Sequence, residues 1–211
     1  MDSSKNKNTK NLRLKYYDYS NPGAYFTTIC TQDRNIGFGE VRDTIIYLND
    51  AGEMVRDRFS ALSKRFNWVE VDEFIVMPDH LHGIIVIIDK PGDHKDRPYS
   101  KSFSGPMPMT LGRIIQAFKS VTTHEYISGI KHNGWQPFSK HLWQRGYYEH
   151  VIRNRDELAR VREYISTNPL RWQYDRENGD GENLAWQATL SIPKKSANTG
   201  APLRKIDIGM K

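Results

Sequence analysis

Apolar residues group in seven places along the chain, at spacings that switch between the period of a strand and that of a helix. Tyr25 to Thr31 (YFTTICT), aromatic and β-branched, predicts a first strand behind a turn at Ser20-Asn21-Pro22-Gly23. Leu48, Val55, Phe59, Leu62 and Phe66 recur at helical spacing, with Asn49 or Asp50 as cap, and predict a first helix. Val69 to Met77 and His80 to Ile88 predict the second and third strands, and Pro78-Asp79 leaves room for a hairpin alone. Thr110 caps a predicted second helix whose inward set is Leu111, Ile114, Ile115, Phe118 and Val121. Leu142 to Ile152 predicts a fourth strand. Asn154-x-x-Glu157 then reads as a capping box for a third helix, with Leu158, Val161 and Ile165 inward and an end near Asn168, before Pro169. The order is β-α-β-β-α-β-α. Its first six elements form the split βαβ pattern of a ferredoxin-like α+β fold with a four-stranded antiparallel sheet.

This pattern places one folded domain at residues 22–172, with a Pro- and Gly-rich loop at 89–109, a basic arm at 1–21 and an irregular basic tail at 173–211. With 211 residues, 37% hydrophobic and 11% aromatic, the chain can bury one sizeable core. The longest apolar run, Ile84 to Ile88, is far too short to span a bilayer, and Met1 to Lys10 carries no apolar signal region. Cys30 is the sole cysteine, which excludes an internal disulfide and a four-thiolate zinc site. The expectation is a cytoplasmic protein without membrane association.

Charge sharpens the choice of partner. The net +6 sits mostly in the tails, +3 in residues 1–21 and +4 in 188–211, so that 22–187 is close to neutral. Between Arg113 and Arg153 the cations Arg113, Lys119, Lys131, Lys140, Arg145 and Arg153 are opposed only by Glu125 and Glu149, and Trp135, Phe138, Trp143, Tyr147 and Tyr148 lie among them. Cations that track phosphates and rings that stack on bases are what single-stranded nucleic acid requires. A solvated face over core aromatics would give the same composition.

Candidate chemistry begins at His80-Leu81-His82, where alternation along a strand turns both imidazoles to one face and lets one metal take both. The predicted third helix offers Tyr164 and Asn168, four residues apart and outside its inward set, as a phenol for a phosphate and an amide oxygen for the metal. A non-catalytic nucleic-acid-binding module with incidental histidines and a metal hydrolase that activates water both remain open on these residues.

Three segments together resemble the REP-associated tyrosine transposases, members of the HUH single-strand DNA endonucleases akin to the small insertion-sequence transposases with one catalytic tyrosine. They are Met77-Pro78-Asp79-His80-Leu81-His82, the block from Trp143 to Asn154 (WQRGYYEHVIRN), and Arg162-Glu163-Tyr164-Ile165 through Asn168-Pro169. The resemblance runs in order over residues 12–175 and implies a ferredoxin-like fold. It also implies that Tyr164 is the nucleophile and that His80, His82 and Asn168 hold a divalent metal, Mg or Mn. The implied reaction is cleavage and transfer of single-stranded DNA at hairpins of palindromic repeats, through a 5′-phosphotyrosine intermediate. Lys119, Arg145 and Arg153 are the expected phosphate contacts, and Trp143 or Tyr147 the expected stacking groups. Relatives of the insertion-sequence type exchange the tyrosine helix within a homodimer, whereas the REP-associated branch completes its site in a monomer.

Overall fold

The structure is a computed structural model and describes residues 17–32, 37–88 and 110–172. Strand β1 (Gly23–Cys30) is central in a four-stranded antiparallel sheet. Its neighbours are β5 (His80–Ile87) on one side and β6 (Tyr148–Ile152) on the other, and β4 (Val69–Val76) lies outside β5, giving the order β4-β5-β1-β6. Helices α1 (Asp50–Ser60), α2 (Leu62–Arg65) and α3 (Leu111–Asn133) join strands that run in the same direction with one strand between them. That is the split βαβ topology expected from the pattern.

Covering helices explain the apolar run in β5. All eight of its residues are buried. On one face Leu81, Ile85 and Ile87 join Tyr25, Ile29, Val55, Phe59 and Phe118 in the larger core, beneath α1 and α3. On the other, Ile84 and Val86 join Ala24, Phe26 and Ile152 beneath α4 (Arg155–Ser166), which contributes Leu158, Val161, Tyr164 and Ile165. The alternation that sends odd residues of β5 to the first core sends His80 and His82 toward α4.

Caps appear where the side-chain chemistry put them. Asn49 accepts from Gly52 N at 2.9 Å and Thr110 from Arg113 N at 3.3 Å. Asn154 accepts from Glu157 N at 2.8 Å, but the Glu157 carboxylate accepts from Arg153 N and approaches His150 instead of closing the box on Asn154.

Four expectations need correction. A two-stranded sheet, β2 (Gly39–Arg42) and β3 (Ile45–Leu48), stands where no element was expected, and its turn places both Asp43 and Thr44 at positive φ. The fourth strand begins at Tyr148, because Leu142–Gln144 forms a separate bridged segment beside Cys30–Gln32 while residues 145–147 stand off the sheet. The third predicted helix does not end at Asn168: after a break at Thr167 the chain is helical again to Trp172, with Pro169 in a first turn that needs no N–H from it. Finally, the last residues of the expected arm belong to the fold, since Tyr17 and Tyr19 pack on Tyr25 and Tyr19 O accepts from Leu111 N. Residues 1–16, the loop expected at 89–109 and the tail expected at 173–211 lie outside the described residues.

Candidate active site

His80 and His82 converge. Their Nε2 atoms are 3.0 Å apart, and the other nitrogen of each ring has an oxygen partner: Asp79 Oδ1 lies 2.6 Å from His80 Nδ1, and Thr28 Oγ1 lies 2.8 Å from His82 Nδ1. Sheet register makes this possible, because Thr28 is directly opposite His82 on β1. Outer partners of this kind fix ring orientation and direct the remaining nitrogen at a common ligand. Burial, and next to it the charge of His80, hold the His82 pKa well below its ordinary value, which keeps the imidazole in the neutral form that ligates. The pair therefore fits a divalent ion. Among the described residues no group of three or more His, Cys, Asp and Glu is placed to hold a metal. Asn168, the expected amide ligand, is buried at 6% exposure.

Tyr164 comes from α4 and meets the histidines within one chain. Its ring centroid is 5.2 Å from that of His82, at an interplanar angle of 67°, and Phe26 lies edge-on at 5.9 Å. At 7% exposure Tyr164 is an inward residue of α4, not the residue outside the apolar set that the spacing indicated. Two ties hold α4 in register with the sheet. Arg162 Nε and Nη2 donate to the two oxygens of Asp72 at 2.7 and 2.5 Å, across to β4 where a bulge interrupts its pairing. At its first turn, Glu157 Oε1 is 2.7 Å from His150 Nε2 and its Oε2 accepts from Arg153 N at 2.7 Å.

Burial works against ionisation of both Asp72 and Glu157. Their hydrogen bonds, from Arg162 and Glu73 N in one case and from His150 and Arg153 N in the other, outweigh it and hold both pKa values below the ordinary carboxylate range. A carboxyl with a depressed folded pKa adds stability above its unfolded pKa of about 4 and loses it as pH falls through the folded value. Acidification below about pH 4 is thus expected to release α4 before the sheet opens. Hydrogen exchange, corrected for intrinsic rates, should show faster exchange in 155–166 than in 80–87 over this range, and Asp72→Asn should shift the onset upward. Simultaneous loss of protection in both segments would contradict this.

The expected DNA contacts divide. Arg145 and Arg153 are exposed and Tyr147 is half-buried. Trp143 is not available for stacking: it is 4% exposed, packs against Phe38 and Phe118, and its Nε1 donates to Thr122 Oγ1 at 2.9 Å. Lys119 is turned to an internal task as well. Its Nζ donates to Gln144 O at 2.9 Å and Gly146 O at 2.7 Å and lies 5.6 Å from the centre of the Tyr147 ring, so it braces the segment that presents Arg145. Burial lowers its pKa to about 8.

Two side chains beyond Asn168 reach the same site and were not expected from the sequence. Arg171 Cζ lies 5.5 Å from the centre of the Tyr164 ring, and the Trp172 ring lies 5.6 Å from that of His80. Reading Pro169 as a helix stop hid them.

Comparison with known proteins adds four findings. A family model described as "Transposase IS200 like" matches residues 102–168, a stretch that includes Tyr164 and Asn168 but not the histidine pair. An uncharacterized protein of Haemophilus influenzae is 35% identical over 171 residues, 79% of this chain and 91% of its own length. A second H. influenzae protein, assigned as a REP-associated tyrosine transposase, is 26% identical over 74% of this chain and 76% of its own. Among solved structures, a REP-associated tyrosine transposase bound to a REP hairpin aligns with 92% of this chain and 99% of its own, at 18% identity and a TM-score of 0.49.

Proposed function

The chain belongs to the IS200-like transposase family, and on that premise we propose that it is of the REP-associated tyrosine branch and cleaves and rejoins single-stranded DNA beside a hairpin through a covalent bond to Tyr164. The observation that carries this reading is the approach of Tyr164 to His82, ring centres 5.2 Å apart, beside a histidine pair whose Nε2 atoms are 3.0 Å from each other.

In the proposed reaction the Tyr164 oxygen bonds to phosphorus and the bond from phosphorus to the 3′-oxygen breaks. The phenol proton is given up, the departing 3′-oxygen takes a proton, and a 5′-phosphotyrosine remains. Rejoining is the reverse. One phosphoester replaces another, so no nucleotide is consumed. A phenol with a pKa of about 10 is a poor nucleophile at neutral pH, so positioning and charge neutralisation must supply the rate. His80, His82 and Asn168 would hold a divalent ion, Mg or Mn, which when bound would supply positive charge to polarise a phosphate. Thr28 and Asp79 fix the imidazoles, Phe26 fixes the phenol ring, and Arg162 and Glu157 fix the helix that carries it. Arg145, Arg153 and Tyr147 serve the bound strand, and Lys119 serves it indirectly by bracing Gln144–Tyr147.

The test is incubation of the full chain with a library of labelled single-stranded hairpins and Mn²⁺. We expect an SDS-resistant protein–DNA adduct that EDTA prevents, with the attached nucleotide mapping to the peptide containing Tyr164. Absence of an adduct on every hairpin, or attachment elsewhere, overturns the reading.

A further inference from the structure

We propose that Arg171 and Trp172 form an anion clamp that holds the scissile phosphate against Tyr164, which makes them catalytic residues of the reaction. The inference rests on the tyrosine reading above and extends it to residues outside the proposed metal set.

Chain path gives the first support. After the break at Thr167 the chain is helical again over 168–172 and carries Arg171 and Trp172 to the side on which Tyr164 meets His82. The contacts fix that side without reference to spacing: Tyr164 against His82, Arg171 over Tyr164, and Trp172 against His80. The backbone N–H of Arg171 bonds to Thr167 O at 3.3 Å, and its Nε is 3.5 Å from Thr167 Oγ1, so the guanidinium stem is tied to the turn. A planar guanidinium presents paired donors at the spacing of two phosphate oxygens.

A second, independent feature points to an anion. Trp172 Nε1 is buried, beside an imidazole of the site, and has no hydrogen-bond partner among the described residues. Indole N–H groups are donors only, and a buried one without an acceptor weakens the fold. Persistence of such a donor beside His80 is accounted for if its acceptor arrives with the substrate. A phosphodiester has two non-bridging oxygens, enough for Arg171 and for Trp172. Both groups act as hydrogen-bond donors alone, so the clamp adds no proton transfer to the step. It opposes the charge that gathers on these oxygens as phosphorus passes between the Tyr164 oxygen and the 3′-oxygen.

Three variants test the clamp, Arg171→Ala, Arg171→Lys and Trp172→Phe, the last keeping a ring against His80 while deleting the donor. Each is measured for single-turnover adduct formation, for hairpin affinity by anisotropy, and for melting temperature. Expected are a roughly 100-fold slower reaction for Arg171→Ala, partial recovery in Arg171→Lys and a roughly 10-fold loss in Trp172→Phe, with affinities within about 3-fold of the unchanged chain. Should Arg171→Ala not fold, Trp172→Phe decides. Unchanged rates, or affinity lost in the same proportion as rate, overturn the clamp while leaving the tyrosine reading intact. If the unchanged protein forms no adduct at all, both fall together.

Discussion

Tyr164→Phe is expected to bind hairpin DNA within about 2-fold of the unchanged chain and to form no covalent adduct, a loss of at least about 1000-fold in strand cleavage. The two halves of that outcome have separate causes. Phe keeps the ring that packs edge-on against Phe26 and sits 5.2 Å from His82, so α4 stays seated and the hydroxyl alone is lost. Losing one hydroxyl in a packed site costs about 1 kcal/mol of stability, too little to unfold the domain. Chemistry has no such reserve, because in the proposed reaction the deleted oxygen is the atom that bonds to phosphorus. Gel retardation and the SDS-resistant adduct, read on one preparation, check both halves. Cleavage that persists in Tyr164→Phe but vanishes in His82→Ala would instead mean that water is the nucleophile and that the histidine pair serves a hydrolase.

The split βαβ order could be read from the sequence because each long element carries a strong local signal. The eight-residue strand β5 is continuously buried and β4 is rich in Val, Ile and Phe, and Asn49, Thr110 and Asn154 mark helix starts through hydrogen bonds that depend only on the residue three positions away. The histidine pair was legible for the same reason, since period two alone turns both rings to one face. What was missed depends on contacts distant in sequence. Strands β2 and β3 have four residues each, half-exposed, and turn through Asp43 and Thr44 without the Asn-Gly or Asp-Gly signal of a tight hairpin. Trp143 looked like a stacking platform because basic residues flank it, but Phe38, 105 residues earlier, and Thr122 take it into the core. Lys119 looked like a phosphate contact until the carbonyls of Gln144 and Gly146 claimed its ammonium. Pro169 is a true interruption, yet it also suits the first turn of a new helical segment, and that ambiguity concealed Arg171 and Trp172.

The core reaches the site through one glycine, and the prediction that follows is the largest for stability. Gly83 lies directly after His82, at an odd position of β5 that faces α1, and a Cβ there would fall 2.5 Å from Cζ and 2.6 Å from Cε1 of Phe59. Phe59 cannot easily give way: it is fully buried, with Phe74 at 5.0 Å and Phe118 at 5.4 Å around it. Gly83→Ala is therefore expected to destabilise the fold by about 1–3 kcal/mol, as overpacking of a closed core does, and to lower Tm by several degrees. Strain at this point also pushes β5 toward α4, and β5 carries both imidazoles on that side. Mn²⁺ affinity, measured by titration of the folded protein below its shifted Tm, should fall with stability even though no ligand is altered. Phe59→Leu in the same chain opens room for the added methyl, so the double variant should recover part of both losses, with a coupling energy outside additivity. If Gly83→Ala lowers Tm but leaves Mn²⁺ affinity untouched, the strain is absorbed within α1 and the histidine pair is held by Thr28 and Asp79 alone.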